Sequence, residues 1–244
     1  AAMPFELTAG TASLDWSLAS GFTAVGSVKN VQESDGSFNT YLSIEIGDDF
    51  AGTLPGDITG ISITGPSGLL TNTLADFTFY PPREFFLSVA GPPEIGVYTF
   101  TVTSGSTTAE STDYQYVLKT IPIPDVSQMS PAEGSVVTSR TPFFTAAPVS
   151  LPDTPLFWRL RITDTSGNII INSPRSFNQF GAVPEGILQP GQTYRYRVQV
   201  SDDDNWVAVQ NRTNSEWVTF TMADTLSHPA RPAIHPSEWL ATTY

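Results

Sequence analysis

The chain has 244 residues, 40% hydrophobic and 11% aromatic, with 18 Gly, 20 Pro, no Cys and a formal net charge of −13. That acidity argues against nucleic acid, whose phosphates call for Lys and Arg, and disfavours anionic membrane surfaces. Without Cys there is no disulfide, Cys-ligated zinc, c-type haem attachment or thiol nucleophile, and no run is long and apolar enough for a membrane-spanning helix.

Abundant Thr and Ser, frequent Gly and Pro turns and the scarcity of helix-forming runs predict an all-β protein. The length accommodates one large β domain or two smaller ones. The charge is uneven: residues 1–120 hold 3 basic and 13 acidic residues, a net −10, and residues 121–244 hold 8 Arg and 11 acids, a net −3. The sequence opens Ala1-Ala2-Met3 and carries no signal-peptide pattern. It reads either as a mature end left by cleavage at an Ala-rich site or as a cloning remnant. The first reading, with the missing Cys, suits a secreted, bacterial protein.

Residues 1–21 form an N-terminal extension or first strand. In Ser13–Leu18 the apolar Leu14, Trp16 and Leu18 fall on one strand face. The segment either starts the following domain or is offered to another subunit's sheet edge. Residues 22–119 read as a β-sandwich with strands at Thr23–Val31, Tyr41–Ile46, Ile58–Thr64, Phe77–Tyr80, Glu84–Val89, Val97–Thr103 and Tyr114–Leu118, separated by turns such as Ser34-Asp35-Gly36 and Gly65-Pro66-Ser67-Gly68. Phe77, Phe79, Phe85 and Leu87 alternate as core residues do, which competes with a sugar-stacking reading of this aromatic stretch. The run Gly96-x-Tyr98-x-Phe100-x-Val102 resembles the equivalent strand of bacterial Ig-like domains, and the resemblance makes Tyr98 structural.

Residues 120–124, with Pro122 and Pro124, form a stiff linker that implies a preferred orientation of the two halves. Residues 125–222 form a second sandwich, with Arg140–Ala147 as its second strand, Leu156–Asp164 as its third, a hairpin turn at Asp164–Asn168 and a last strand at Glu216–Met222. Leu188–Val200 places a Pro190-Gly191 turn before alternating Tyr194, Tyr196, Val198 and Val200. Leu188, Pro190, Gly191 and Tyr194 match the Leu-x-Pro-Gly-x-x-Tyr pattern, so residues 125–222 resemble the fibronectin type III family. The resemblance implies a sandwich of about seven strands in which Tyr194 forms the tyrosine corner. Residues 223–244 are a Pro-rich tail whose Trp239, Leu240 and Tyr244 are expected to pack on the chain's own domains or on a neighbouring chain.

No Gly-x-Ser-x-Gly elbow is present, and the two histidines, His228 and His235, both lie in the tail. Paired carboxylates such as Asp48 and Asp49 read as solvated loop residues rather than a facing glycosidase pair. The chain therefore reads as non-enzymatic. Asp202, Asp203 and Asp204 form an oxygen-rich loop that suits Ca²⁺, although the Gly and bidentate Glu of an EF-hand are missing; otherwise no cofactor is expected. His228 and His235 with Glu238 are a weaker transition-metal or haem candidate. Trp206, in the same acidic loop, is the best exposed aromatic for a ligand. Arg159, Arg161, Arg195 and Arg197 recur at period two on neighbouring strands. They are expected to pair with acids of their own domain or to meet the acidic first half of a neighbouring chain.

Two tandem β-sandwiches, Ig-like then fibronectin type III-like, thus point first to a subunit of an extracellular or cell-surface filament or layer, a homo-oligomer or polymer. The alternatives are a carbohydrate- or cell-surface-binding adhesion module, and an accessory domain pair of a larger extracellular enzyme or redox system.

Overall fold

Alternation of apolar and polar residues drives the strands, and the two faces of each strand meet different surroundings. In Ala24–Gln32 (β1), Ala24 and Val28 enter the first hydrophobic core, while Ser27, Lys29 and Val31 point to the opposite face and are buried as well. A strand buried on both faces needs a cover on its polar side, and the second half of the chain supplies it. The computed structural model describes residues 21–71 and 73–227. The expected strand with Leu14, Trp16 and Leu18, and the tail residues His228, His235, Glu238, Trp239, Leu240 and Tyr244, lie outside the described residues.

The protein is all-β. The first sandwich contains β1, Phe38–Ile46 (β2), Gly60–Gly65 (β3), Gly68–Thr71 (β4), Thr78–Tyr80 (β5), Glu84–Ala90 (β6), Gly96–Ser104 (β7) and Thr107–Gln115 (β8). The sheet β1-β2-β6-β5 faces the sheet β4-β3-β7-β8 across a core built on Val28, Leu42, Ile44, Ile61, Ile63, Phe85, Tyr98 and Phe100. The last strand, β8, differs from expectation. It runs over Thr107–Gln115, and residues 116–118 are outside it. Its inward positions are Ala109, Ser111 and Asp113 rather than large apolar residues. The hydroxyl of Ser111 and the carboxylate of Asp113 accept from Gly26 N at 2.9 Å and Val28 N at 2.8 Å, so polar side chains close the sandwich edge and hide the strand from a hydrophobic pattern.

The second sandwich contains Ser135–Ser139 (β9), Phe143–Thr145 (β10), Phe157–Asp164 (β11), Ile169–Asn172 (β12), Phe180–Ala182 (β13), Thr193–Ser201 (β14), Asn211–Asn214 (β15) and Val218–Ser227 (β16). β10 pairs with β13; β12, β11 and β14 form the larger sheet, with β15 and β16 side by side along β14. The core gathers Phe144, Trp158, Ile162, Tyr196, Val200 and Phe220. β10 is shorter than the expected Arg140–Ala147, because Arg140 is engaged with Glu185 and the backbone at Leu226. β16 continues past the expected boundary at residue 222 to Ser227, held by parallel pairing with β9. Tyr194 forms the corner: its hydroxyl accepts from Gln189 N at 2.9 Å, and Gly191 takes the left-handed φ of 70° that the turn requires. Tyr98 plays a similar part in the first half by donating to the Glu94 carbonyl at 3.1 Å.

Residues 120–124 are no free spacer, since Ile121 is buried in the second core. The two halves share one sheet. β15 pairs in parallel with β1, matching Asn30 to Asn211, Val31 to Arg212 and Gln32 to Thr213. A continuous path β12-β11-β14-β15-β1-β2-β6-β5 results. Among the described residues no helix is long and apolar enough to cross a membrane.

Candidate functional site

The joint between the halves is largely polar, with Val31 as its apolar member on β1. Asn211 is fully buried and uses its whole side chain. Its Oδ1 accepts from Asn30 Nδ2 at 3.1 Å and Lys119 N at 2.7 Å, and its Nδ2 donates to Val117 O at 3.1 Å and Asp202 Oδ2 at 2.8 Å. Gln210 O accepts from Asn30 N at 2.9 Å, and Gln210 Oε1 from Tyr116 N at 2.7 Å. Asn214 Nδ2 donates to Glu33 Oε2 at 2.9 Å. Each bond is directional, so the joint fixes an angle between the sandwiches as apolar contact would not.

On one face of the continuous sheet, above this joint, lies a cleft of about 470 Å³. Strand alternation sends one to three residues from each strand of the joined sheet into it: Arg159 and Arg161 from β11, Arg197 from β14, Arg212 from β15, Lys29 from β1, Tyr41, Ser43 and Glu45 from β2, and Glu84 and Phe86 from β6. Arg175 and Trp206 enter from loops, and Tyr80 and Ile169 come from opposite ends of the sheet, so the sheet curls around the space. Six of the 11 basic residues of a chain with net charge −13 line this cleft.

Compensation within the cleft is partial. Arg161 and Arg197 stand directly opposite each other across β11 and β14. Arg197 reaches Glu33 Oε2 only at 3.9 Å and lies over the Trp217 ring at 4.7 Å; Arg212 lies over Tyr41 at 4.8 Å, and Lys29 over Trp206 at 4.9 Å. Arg159 Nε donates to the Ser173 carbonyl at 2.8 Å. The Nε atoms of Arg161, Arg175, Arg197 and Arg212 are buried without a hydrogen-bond partner among the described residues. Burial, then neighbouring guanidiniums, push Lys29 down to about 7. Burial leads again in bringing Arg212 down to about 9 and Arg159 to about 10, and Arg161, Arg175 and Arg197 are lowered for the same reason. The Tyr41 hydroxyl is pushed up by burial and by its hydrogen bond to Glu33. Guanidiniums on facing strand positions such as Arg161 and Arg197 repel one another where burial limits screening by water. The cleft thus gathers six basic side chains against the two carboxylates of Glu45 and Glu84.

Arg159, Arg161 and Arg197 come together here. Arg195, beside them on β14, stays outside the lining and rests over Trp217 at 5.5 Å. Arg159, Arg161 and Arg197 share the cleft with Tyr41, Glu45 and Glu84 of the first half of their own chain. Trp206 is half-buried over Lys29, not a free platform. The acidic loop braces the joint: Asp202 Oδ1 accepts from Gln210 N and Asn211 N, both at 3.0 Å, and Asp203 Oδ1 from Asn205 N at 2.9 Å. Asp204 is exposed, and among the described residues no three His, Asp or Glu side chains converge as a metal group. Sequence reasoning missed Lys29, Tyr41, Glu84, Arg175 and Arg212. The one available signal was the share of arginine in an acidic chain, since Arg212 sits in an Asn-Arg-Thr-Asn strand with no apolar alternation.

No family model and no curated protein matches the sequence. Similar solved structures include the chicken CNTN1 FN1-FN3 domains, with a TM-score of 0.33, 10% identity and coverage of 83% of this chain. The chain spans 65% of that structure's length. Murine CEACAM1b has a TM-score of 0.28, 12% identity and coverage of 81% of this chain and all of its own. The titin domains z1z2 in complex with telethonin have a TM-score of 0.26, 15% identity and coverage of 86% and 99%. Likenesses at this level carry nothing about ligands, and the all-β architecture stands on the strands themselves.

Proposed function

We propose that this chain is a non-enzymatic binding module of an exported or cell-surface protein, and that the cleft between its sandwiches receives an anionic group of a partner, a carboxylate, sulfate or phosphate. The observation that carries this reading is the convergence of six basic side chains on one cavity, four of them arginines whose Nε atoms have no hydrogen-bond partner among the described residues. Guanidinium forks match such oxyanions in a bidentate way. Tyr41, Tyr80, Phe86 and Trp206 beside them suit the apolar face of a sugar or a side chain carrying the charge.

Titration calorimetry and thermal shift with sulfate, citrate and a sulfated oligosaccharide test this proposal at constant ionic strength. Saturable binding is expected, with the midpoint raised for the native chain and a loss of at least tenfold in affinity in Arg161→Gln/Arg197→Gln. A response no larger than that to chloride, or one unchanged in the variant, would overturn it.

A further inference from the structure

A second cavity, of about 650 Å³, opens in the second sandwich between the edges of β12 and β13. Its walls are largely apolar: Phe144, Trp158, Leu160, Val183 and Val198, with Ile187 at its lining and 44% exposed. Four of these five wall residues belong to the core, and Leu160 packs against it, so the opening leaves core surface in contact with water. β12 and β13 have neighbours on one side only; the segment 173–179 that joins them pairs with Trp158 and reaches Ala146, so it forms one wall of the cavity and leaves the apolar floor open beside it.

The chain leaves its described part beside this cavity. Ser227 O accepts from Arg140 N at 2.9 Å, and two residues on, Pro142 O accepts from Val183 N at 2.9 Å. At 3.8 Å per residue, Ser227 stands within roughly 15 Å of the cavity wall. The segment 228–244 that follows holds Ile234, Trp239, Leu240 and Tyr244. The 12 residues from Ser227 to Trp239 span up to about 40 Å when extended, so reach does not limit contact. The other apolar segment outside the described residues, Ser13–Leu18, enters the chain at the opposite end. Phe22 and Thr23 precede the start of β1, while the end of β1 meets β15, a nine-residue strand away.

We infer that the apolar cavity of the second sandwich is a docking site for the chain's own segment 228–244, with Trp239 and Leu240 as its anchors. A Trp side chain buries about 150–250 Å², and a pocket of this volume holds it with a second apolar side chain. The prolines of the segment suit it to lie along sheet edges without continuing their ladders.

The native absence of Cys permits a direct test. The full chain carrying Ile187→Cys and Leu240→Cys is oxidised, beside a control pair of Leu240→Cys with Leu69→Cys, an exposed position on β4. Most molecules of the first pair are expected to become internally cross-linked monomers, and few of the second. As a second readout, a chain ending at Ser227 should bind an apolar fluorescent dye several-fold more than the full chain, and a peptide of residues 228–244 should reverse this. Cross-links formed only between chains, equal cross-linking of both pairs, or equal dye binding would each overturn the inference.

Discussion

Replacing Asn211 with Ala tests whether the polar joint holds the two sandwiches together. The side chain makes four hydrogen bonds, to Asn30, Lys119, Val117 and Asp202. Two losses are cushioned, because Val117 O still accepts from Gln115 Nε2 at 2.8 Å and Asn30 Nδ2 still donates to Lys119 O at 3.2 Å. The Lys119 N–H loses its acceptor and the Asp202 carboxylate a donor. At about 1 kcal/mol for a neutral bond, and more where a charged group is involved or a buried donor is stranded, the cost is about 3 kcal/mol. The assay is urea unfolding of a chain carrying Trp16→Phe and Trp239→Phe, followed by fluorescence of the three remaining tryptophans, Trp158, Trp206 and Trp217 of the second half, and by circular dichroism, which reports on both halves. The two probes should coincide in that chain and separate once Asn211→Ala is added. A loss below about 1 kcal/mol with coincident transitions would refute the reasoning that this residue couples the halves.

Lys29 gives a pH signature. Its ordinary value of 10.5 falls to about 7 in the fold, so between those values the unfolded chain binds more protons and stability rises with pH from about 7 towards 10.5. The full span is at most about 5 kcal/mol. Lys29→Met should flatten that slope in unfolding free energies measured from pH 7 to 9.5, and should stabilise the chain at pH 7 by roughly 1–3 kcal/mol. Tyr194→Phe strands the Gln189 N–H and should cost about 1 kcal/mol, seen as a midpoint about 2–4 °C lower in thermal unfolding. Gly26→Ala would place a Cβ 2.1 Å from the Phe100 ring, where β1 crosses the face of that buried side chain. It should cost about 3 kcal/mol or more by denaturant titration, whereas Gly36→Ala, with open space around its Cβ, should cost less, chiefly through its positive φ.

Much of the second sandwich was legible because its signals are local. The Pro190-Gly191 turn and the alternation from Tyr194 to Val200 place β14, and Phe157–Asp164 alternates just as plainly. Part of the candidate site was legible too, since period two puts Arg159, Arg161 and Arg197 on one side of neighbouring strands. The rest was hidden for identifiable reasons. β8 closes its sandwich with Ala109, Ser111 and Asp113, and β15 reads Asn-Arg-Thr-Asn, so neither carries an apolar rhythm. Arg175 sits in a loop, and Lys29 lies on the polar side of β1, which only the second half of the chain buries.

The all-β character, most strands of both halves and the tyrosine corner follow from side-chain periodicity and turn chemistry within about ten residues, so the amino-acid order alone suffices for them. The pairing of β15 with β1, and therefore the direction in which the arginine face looks, emerges only in the folded chain. That choice depends on hydrogen bonds between Asn30 and Asn211, 181 residues apart. Backbone amides pair with any extended partner, so only the assembled geometry selects among them. The same event that joins the two sheets turns a scattered set of basic residues into one cleft.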